Sequence, residues 1–573
     1  MRSYHKDYKT KAARGRNRKL LLTAVFAVFA FAAALTACDA LVRQMPPVTT
    51  APPTATVPPT LSPSADMTQY FSFTRTTSPA AFDGIVYEEW NVPAGTVSRR
   101  EKRDFTLLVY MNGSDLESES GAATRDLHEL IEASEKSAKN VNVVVLTGGA
   151  NRWITPKISP NTCTISEIAD GKLQKLAEIG LKNMGGAGTL ASFLKFGYEY
   201  FPAENTAVIL WDHGGGSIAG YGYDEHFEDS GDSGGDADTV NRYDGTMSLT
   251  ELEYAFFKAE LPEKLAFVGF DACLMASVEM AVVLEPYAGL LLASESLEPE
   301  NGWDYTVLRG FFRGKMTGGM EIAKLLAEGF YASERYGASD VTISVVDLTK
   351  VTGIMGALDR LAARLNSDIK DTEKADAILQ SRAAVSTFGD GSPADNMCDM
   401  ADALDFAEKL GGGYAYEAAA VRRAVREAVV LSRTNSRDAV CGLSVYSLFG
   451  GIKDAPILLE VYESLAMGGA FTQLQKNMYT ALGSTNSAPE PVPGVPVTLF
   501  GRKTEMYEIA RPESGTVYAA PAIIDGELAD IIVYKPVKGS MRVLGYRREE
   551  GYVQQKGYTE FSEDAEVVPT WAQ

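Results

Sequence analysis

The chain runs to 573 residues, 45% of them apolar, enough to bury a large core and to hold two or three domains. Its formal charge of −21 argues against nucleic acid as a partner and against polybasic binding to a membrane surface. Its five cysteines, Cys38, Cys163, Cys273, Cys398 and Cys441, show no C-x-x-C spacing, which speaks against a disulfide framework and against a structural zinc site.

The first 37 residues read as a targeting segment. Eight lysines and arginines between Arg2 and Lys19 precede an uncharged apolar run from Leu20 to Leu35. Sixteen residues is short for a membrane span and suits the apolar core of a signal peptide. The run ends in Leu35-Thr36-Ala37-Cys38, which resembles a bacterial lipobox, so Cys38 is the candidate lipidation site. An ordinary signal peptide or an N-terminal anchor is the alternative. Removing this segment sheds eight basic residues against one acid, so the body is more acidic still. Residues 38–65 follow as a Pro/Thr-rich stretch, read as an extended tether that holds the body off the membrane. Together they imply an exported protein anchored to the bacterial cell membrane by lipid.

Residues 66–103 read as an irregular lead-in, and the body then alternates strand and helix patterns. Apolar, β-branched runs at 105–111, 141–147, 206–211 and 265–270 predict four strands. Helical spacing is expected from Asp115 towards Lys139, over 189–201, over 249–261, and from Leu274 onward. This alternation predicts a largely parallel sheet with helices on both faces. From about 319 to 481 the pattern is mostly helical, broken by further strands at 341–348 and 441–448. A linker at 483–496 precedes short strand-like runs to the C-terminus, which suggests a small β domain over 497–573.

Two strand ends carry the chemistry. "AVILWDHGGGS" places His213 just past the third strand and ahead of three glycines. "LAFVGFDACLMAS" places Asp271-Ala272-Cys273 in the same position past the fourth. In adjacent parallel strands both carboxyl ends lie on one edge of the sheet, so an imidazole and a thiol 60 residues apart meet there. A cysteine is only a few per cent thiolate at neutral pH, and a nearby imidazole is the usual device for activating it. Glycines beside the histidine let the backbone approach and offer N–H groups to an oxyanion. Taken singly, a cysteine after a strand is most often an inert core residue and a glycine cluster only a turn. The two in one context favour a cysteine nucleophile.

These residues resemble the clostripain-like cysteine peptidases of the caspase, gingipain and legumain clan. The resemblance spans about residues 104–450 and rests on "FTLLVYMNGSDLE", "NVVVLTGG", "VILWDHGGG", "DACLMASVEMA", "ASESLEPENGWDY" and "GLSVY", in that order. It implies a caspase–haemoglobinase-like α/β fold over 104–482 and hydrolysis of peptide bonds through a thioacyl-enzyme. His213 would be the catalytic histidine and Cys273 the nucleophile, with N–H groups at Gly214 and Cys273 forming the oxyanion hole. Family members cleave after Arg or Lys, which needs a carboxylate in the pocket. Asp271 matches the family acid for that role, with Asp304 as a further contributor. Glu298 and Glu300 read more readily as a solvated acidic loop, and Asp212 as pointing away from the imidazole.

Between His213 and the next helix lies an acidic, glycine-rich insert from Asp224 to Asp244, expected to be an exposed loop. Arg242, the only Lys or Arg between His213 and Lys258, is the candidate self-processing site, since family members are commonly matured in this region. No cofactor or metal is required by the residues. Calcium stays open because some relatives need it, although no EF-hand spacing is present. His128 reads as a surface or half-buried helix residue and His226 as a solvated one. Cys163, Cys398 and Cys441 are given structural parts. The partners expected are a protein or peptide substrate and the membrane at the lipid anchor. Two other classes share the features: a silent surface binding module on the same fold, and a cell-wall amidase or transpeptidase.

Overall fold

The computed structural model describes Phe82, Ile85 and residues 87–485, apart from 228–244, 335–339, 390–398, 436–439 and 450–454, together with the backbone of strands between 495 and 567. The leader, the tether, Cys38, Arg242 and Cys398 lie outside the described residues.

Each long apolar run becomes a buried strand. β1 (Arg103–Asn112), β2 (Val141–Gly148), β5 (Ala203–Trp211), β6 (Val268–Asp271) and β7 (Leu290–Ala293) form a parallel core in the order β7-β6-β5-β1-β2. Antiparallel pairs extend it on both sides. β3 (Thr164–Ala169) and β4 (Lys172–Glu178) follow β2, while β8 (Thr342–Asp347) and β11 (Val429–Thr434) follow β7, giving nine strands. The parallel centre with flanking helices is the α/β arrangement expected.

Alternation of side chains along the strands divides the core in two. Leu108 and Tyr110 of β1, with Val208 and Leu210 of β5, pack on one face under the helices Ala187–Tyr200, Leu249–Ala259 and Val278–Leu284. Leu107, Val109 and Met111, with Ile209 and Trp211, pack on the other under Ala122–Ala133 and Gly319–Glu334. Each such fully buried large side chain contributes about 1.5–3 kcal/mol.

The helix expected from Leu274 starts later, at Val278. Leu274 has a left-handed backbone, φ 65°, which a helix cannot absorb, and Ser277 caps the helix by accepting the Met280 N–H. A three-stranded sheet, β9 (Thr387–Phe388), β10 (Met400–Asp402) and β12 (Ser444–Tyr446), stands apart from the main one. The run at 441–448 therefore supplies a strand to this small sheet. The strands between Val495 and Val567 form a separate seven-stranded sheet. Among the described residues no helix is long and apolar enough to cross a membrane.

Candidate active site

β5 and β6 pair in parallel with Trp211 opposite Asp271, so His213 and Cys273 each lie two residues past a matched pair. The Asp212 N–H still donates to the Asp271 carbonyl at 3.3 Å, carrying the register one step further. Beyond it the chains are in contact: a methyl placed on Gly214 would lie 2.0 Å from the Cys273 carbonyl oxygen. Only glycine permits that approach, which is the physical reason for a glycine directly after His213.

The imidazole is held from the end of β1. His213 Nε2 lies 2.7 Å from Asp115 Oδ1, and its ring stacks on Tyr223 at 5.7 Å between centroids. Both partners of the pair are part-exposed, His213 by 43% and Asp115 by 39%. Partial burial pulls the Asp115 carboxyl upward, but hydrogen bonds from His213 and Tyr223 and the imidazole charge outweigh it and leave the pKa below the ordinary value. Ser114, just before it, has φ 43°, a strained backbone at the turn that delivers Asp115.

Asp212 makes no hydrogen bond to the imidazole. It is fully buried and accepts from Asn112 Nδ2 and Ser114 Oγ, each at 2.6 Å, and from the Tyr223 N–H at 2.9 Å. Burial pushes its pKa up to about 7. Its part is to fasten the two segments that carry Asp115 and Tyr223.

Cys273 is half-buried, and its sulfur accepts the Glu298 N–H at 3.2 Å. Leu274 then turns left-handed, and its N–H donates to the Ser296 carbonyl at 3.1 Å. The Cys273 sulfur also lies 3.8 Å from the Glu298 carbonyl oxygen, so the backbone of Glu298 fixes the position of the thiol from both its donor and its acceptor.

Beneath Cys273 lies a nest of buried carboxyls. Asp271 accepts the Tyr305 hydroxyl at 2.7 Å and the Trp303 N–H at 3.3 Å. Asp126, from helix Ala122–Ala133, accepts the Trp211 indole N–H at 2.7 Å. A methyl on Gly302 would fall 3.0 Å from Asp126 and 3.1 Å from Asp271, so the two flank that glycine. The Glu298 carboxyl completes the group, taking the Ser294 hydroxyl and the Trp303 indole N–H. Burial raises the pKa of all three, and mutual repulsion with Asp271 raises Asp126 and Glu298 further.

Several sequence-based expectations change here. The Glu298 carboxyl is inside, its pKa raised by burial, because its chain turns inward beside Cys273. Glu300 does remain at the surface, paired with Arg125 at 3.0 Å. Asp304 is half-exposed and caps the turn Tyr305–Leu308, its Oδ1 accepting both Thr306 donors. Asp224 and Glu225 belong to the framework, since Asp224 accepts the Met184 N–H and Glu225 accepts from Ser118 and Asn151. His226 is half-buried against Asp224 at 3.1 Å, held by that bond out of open solvent. His128 is exposed, and Cys163 is a core thiol, pushed up to about 12 by burial. Asp115, Tyr223 and Asp126 went unnoticed in the sequence. The one available signal was that Asp115 follows a strand end within "YMNGSDLE", and that strand turns out to neighbour β5.

An α/β sheet carrying an imidazole and a thiol at neighbouring strand ends is the arrangement of a thiol hydrolase. The sequence model of the Clostripain family matches residues 109–460, more than half of the chain, and the protein belongs to that family of cysteine peptidases. Solved structures similar to it include a secreted C11 cysteine protease from Bacteroides thetaiotaomicron, "iotapain", at 17% identity, 66% of this chain, 100% of that one and a TM-score of 0.47. An inactive zymogen C11 protease from Parabacteroides distasonis matches at 19% identity, 66% and 99% coverage and a TM-score of 0.47. A B. thetaiotaomicron C11 protease bound to an irreversible peptide inhibitor matches at 20%, with 63% and 99% coverage and a TM-score of 0.45. No curated protein sequence matches.

Proposed function

We propose that this protein is an endopeptidase that cleaves after Arg or Lys with Cys273 as nucleophile and His213 as proton carrier. The observation that carries the reading is the contact of Gly214 with the Cys273 carbonyl, which brings the two side chains' segments together past matched strand ends. Cys273 Sγ attacks the scissile carbonyl carbon, and the oxygen takes up the negative charge. N–H groups at Gly214 and Cys273 receive that oxyanion. His213 gives a proton to the leaving amine, and water then hydrolyses the thioacyl bond. Asp115 fixes the ring and balances the imidazolium that forms before that proton is given up.

Selectivity for a basic side chain rests on the carboxyl nest. Desolvated carboxyls that repel one another gain most from an incoming cation, and Asp271 stands two residues before the nucleophile. Glu298 links the two parts, with its N–H on the sulfur and its carboxyl in the nest. The lipobox at Cys38 supports a surface tether, and Arg242 is the proposed site of self-processing.

The test is hydrolysis of short fluorogenic peptides ending in Arg, Lys, Asp or Leu, with and without calcium, by the purified protein and its Cys273→Ala variant. Cleavage after Arg or Lys that vanishes in the variant is expected. Processing is tested on the same variant, which should stay intact at Arg242 when purified alone.

A further inference from the structure

Away from this site, three oxygen and sulfur side chains converge from distant parts of the chain. Glu295 follows β7, Asp402 ends β10 and Cys441 precedes β12. A carboxylate oxygen of each acid and Cys441 Sγ all lie within 4.8 Å of one another. Glu295 and Asp402 are fully buried.

Most of the polar atoms here have partners. Asp402 accepts the Leu404 and Asp405 N–H groups on one oxygen and the Cys441 N–H on the other. Glu295 Oε2 accepts the Gly442 N–H at 2.8 Å, and Cys441 Sγ lies 3.3 Å from the Leu443 carbonyl oxygen. Glu295 Oε1 is the exception: it is buried, no N–H or hydroxyl among the described residues donates to it, and the side-chain partner of this carboxyl is a second acid, Asp402, which raises its pKa. Two buried carboxyls set against each other are destabilised by desolvation and by repulsion, and here a thiol lies beside them. No lysine or arginine is among the groups that shift these three; burial and their mutual repulsion raise Glu295 and Cys441 well above ordinary values.

We propose that Glu295, Asp402 and Cys441 form a binding site for one thiophilic divalent cation of the zinc type. Two carboxylates and a thiolate supply three of the four positions a tetrahedral zinc takes, and a water or the Leu443 carbonyl completes it. Bonds of ~2.0–2.3 Å draw the three atoms together by about 1 Å from their present spread. The sulfur selects against calcium and magnesium, which take oxygen alone. On binding, the Cys441 thiol proton and any proton carried by the two carboxyls pass to solvent.

The site is structural. Leu274 binds the Ser296 carbonyl, one residue past Glu295. Ser444, three residues past Cys441, donates both its N–H and its hydroxyl to the Ala276 carbonyl. A cation therefore ties together the segments that brace the loop after Cys273.

The proposal is tested by titrating the full chain carrying Cys273→Ala with cadmium, read by the ultraviolet thiolate-to-cadmium charge-transfer band. The variant removes the candidate nucleophile as a competing thiol. Saturation at about one equivalent is expected, with zinc displacing the cadmium. Cys441→Ser should abolish the band while Cys163→Ser leaves it intact. Glu295→Gln, which keeps shape and removes charge, should weaken binding at least about tenfold. Absence of a band at stoichiometric cadmium, or a band that survives Cys441→Ser, overturns the proposal. Should Cys441→Ser fail to fold by circular dichroism, undiminished cadmium affinity in Glu295→Gln overturns it instead.

Discussion

Two aspartates serve the two halves of the candidate site, and their surroundings have made them opposites. Asp115, under His213, is part-exposed and hydrogen-bonded by the imidazole, so its pKa is depressed. Asp271, before Cys273, is buried among other acids, so its pKa is raised despite hydrogen bonds from Tyr305 and Trp303. One carboxylate already has its hydrogen-bond partner in the imidazole. The other group has hydrogen-bond donors but, among the described residues, no basic side chain paired with it, so an incoming cation would relieve its mutual repulsion. In this reading the first steadies the catalyst and the second selects the substrate.

The sharpest way to break the comparison is to remove the thiol both halves serve. Cys273→Ala should lower kcat/KM for the best peptide by more than about 10⁴-fold, with the fold unchanged by circular dichroism. Asp271→Asn should come next, because it removes charge from a desolvated nest. It should cost a peptide ending in Arg or Lys about a hundredfold or more in kcat/KM, and one ending in Leu far less. Asp115→Asn should lower kcat about tenfold, with little change in KM and no change in the preference between basic and neutral peptides. An equal loss of discrimination in both aspartate variants would contradict the division of labour.

The two aspartates also differ in their dependence on pH. The folded-state pKa of Asp115 is depressed, so its stabilising contribution is present above the ordinary carboxylate value and is lost as pH falls through the lower folded one. Asp271 runs the other way: its raised pKa favours the folded protein below the ordinary value, and that advantage is lost as pH rises through the raised one. Peptides ending in Arg or Lys should therefore lose kcat/KM on acidification as pH falls through the raised pKa of Asp271, and a peptide ending in Leu should lose less. In Asp271→Asn that acidic limb should move down, measured as pH profiles of the two proteins on one peptide.

The smallest expected effect is on stability. Gly214→Ala brings a methyl against the Cys273 carbonyl, 2.0 Å away, and should cost about 1–3 kcal/mol in denaturant unfolding. Its activity should fall further than its stability, because the two strand ends are pushed apart.

The parts of this arrangement differ in how far they can be read from the chain. Val208–Trp211 and Val268–Asp271 are short apolar runs with turn signals, and their strands lie close to where those patterns stand. His213 and Cys273 were visible because glycines and an acid mark the ends of those runs. The β3–β4 hairpin was not, since "KLQKLAE" is mostly exposed and too polar to stand out as a strand. Asp115 and Asp126 were hidden for another reason. Each reaches its partner across about 90 residues of sequence, His213 for one and Trp211 for the other, through a strand order that one chain's periodicity does not specify. Glu298 was misjudged because an acid in a loop is usually solvated, and only the fold turns its carboxyl inward.

The most direct test of the account is hydrolysis of matched fluorogenic peptides by the purified protein beside Cys273→Ala, His213→Ala and Asp271→Asn. The account predicts cleavage after Arg or Lys by the unaltered protein, none by the first two variants, and a selective loss on basic peptides in the third. Cleavage that persists in Cys273→Ala, or a protein that is folded and processed yet cleaves none of the peptides, would contradict it.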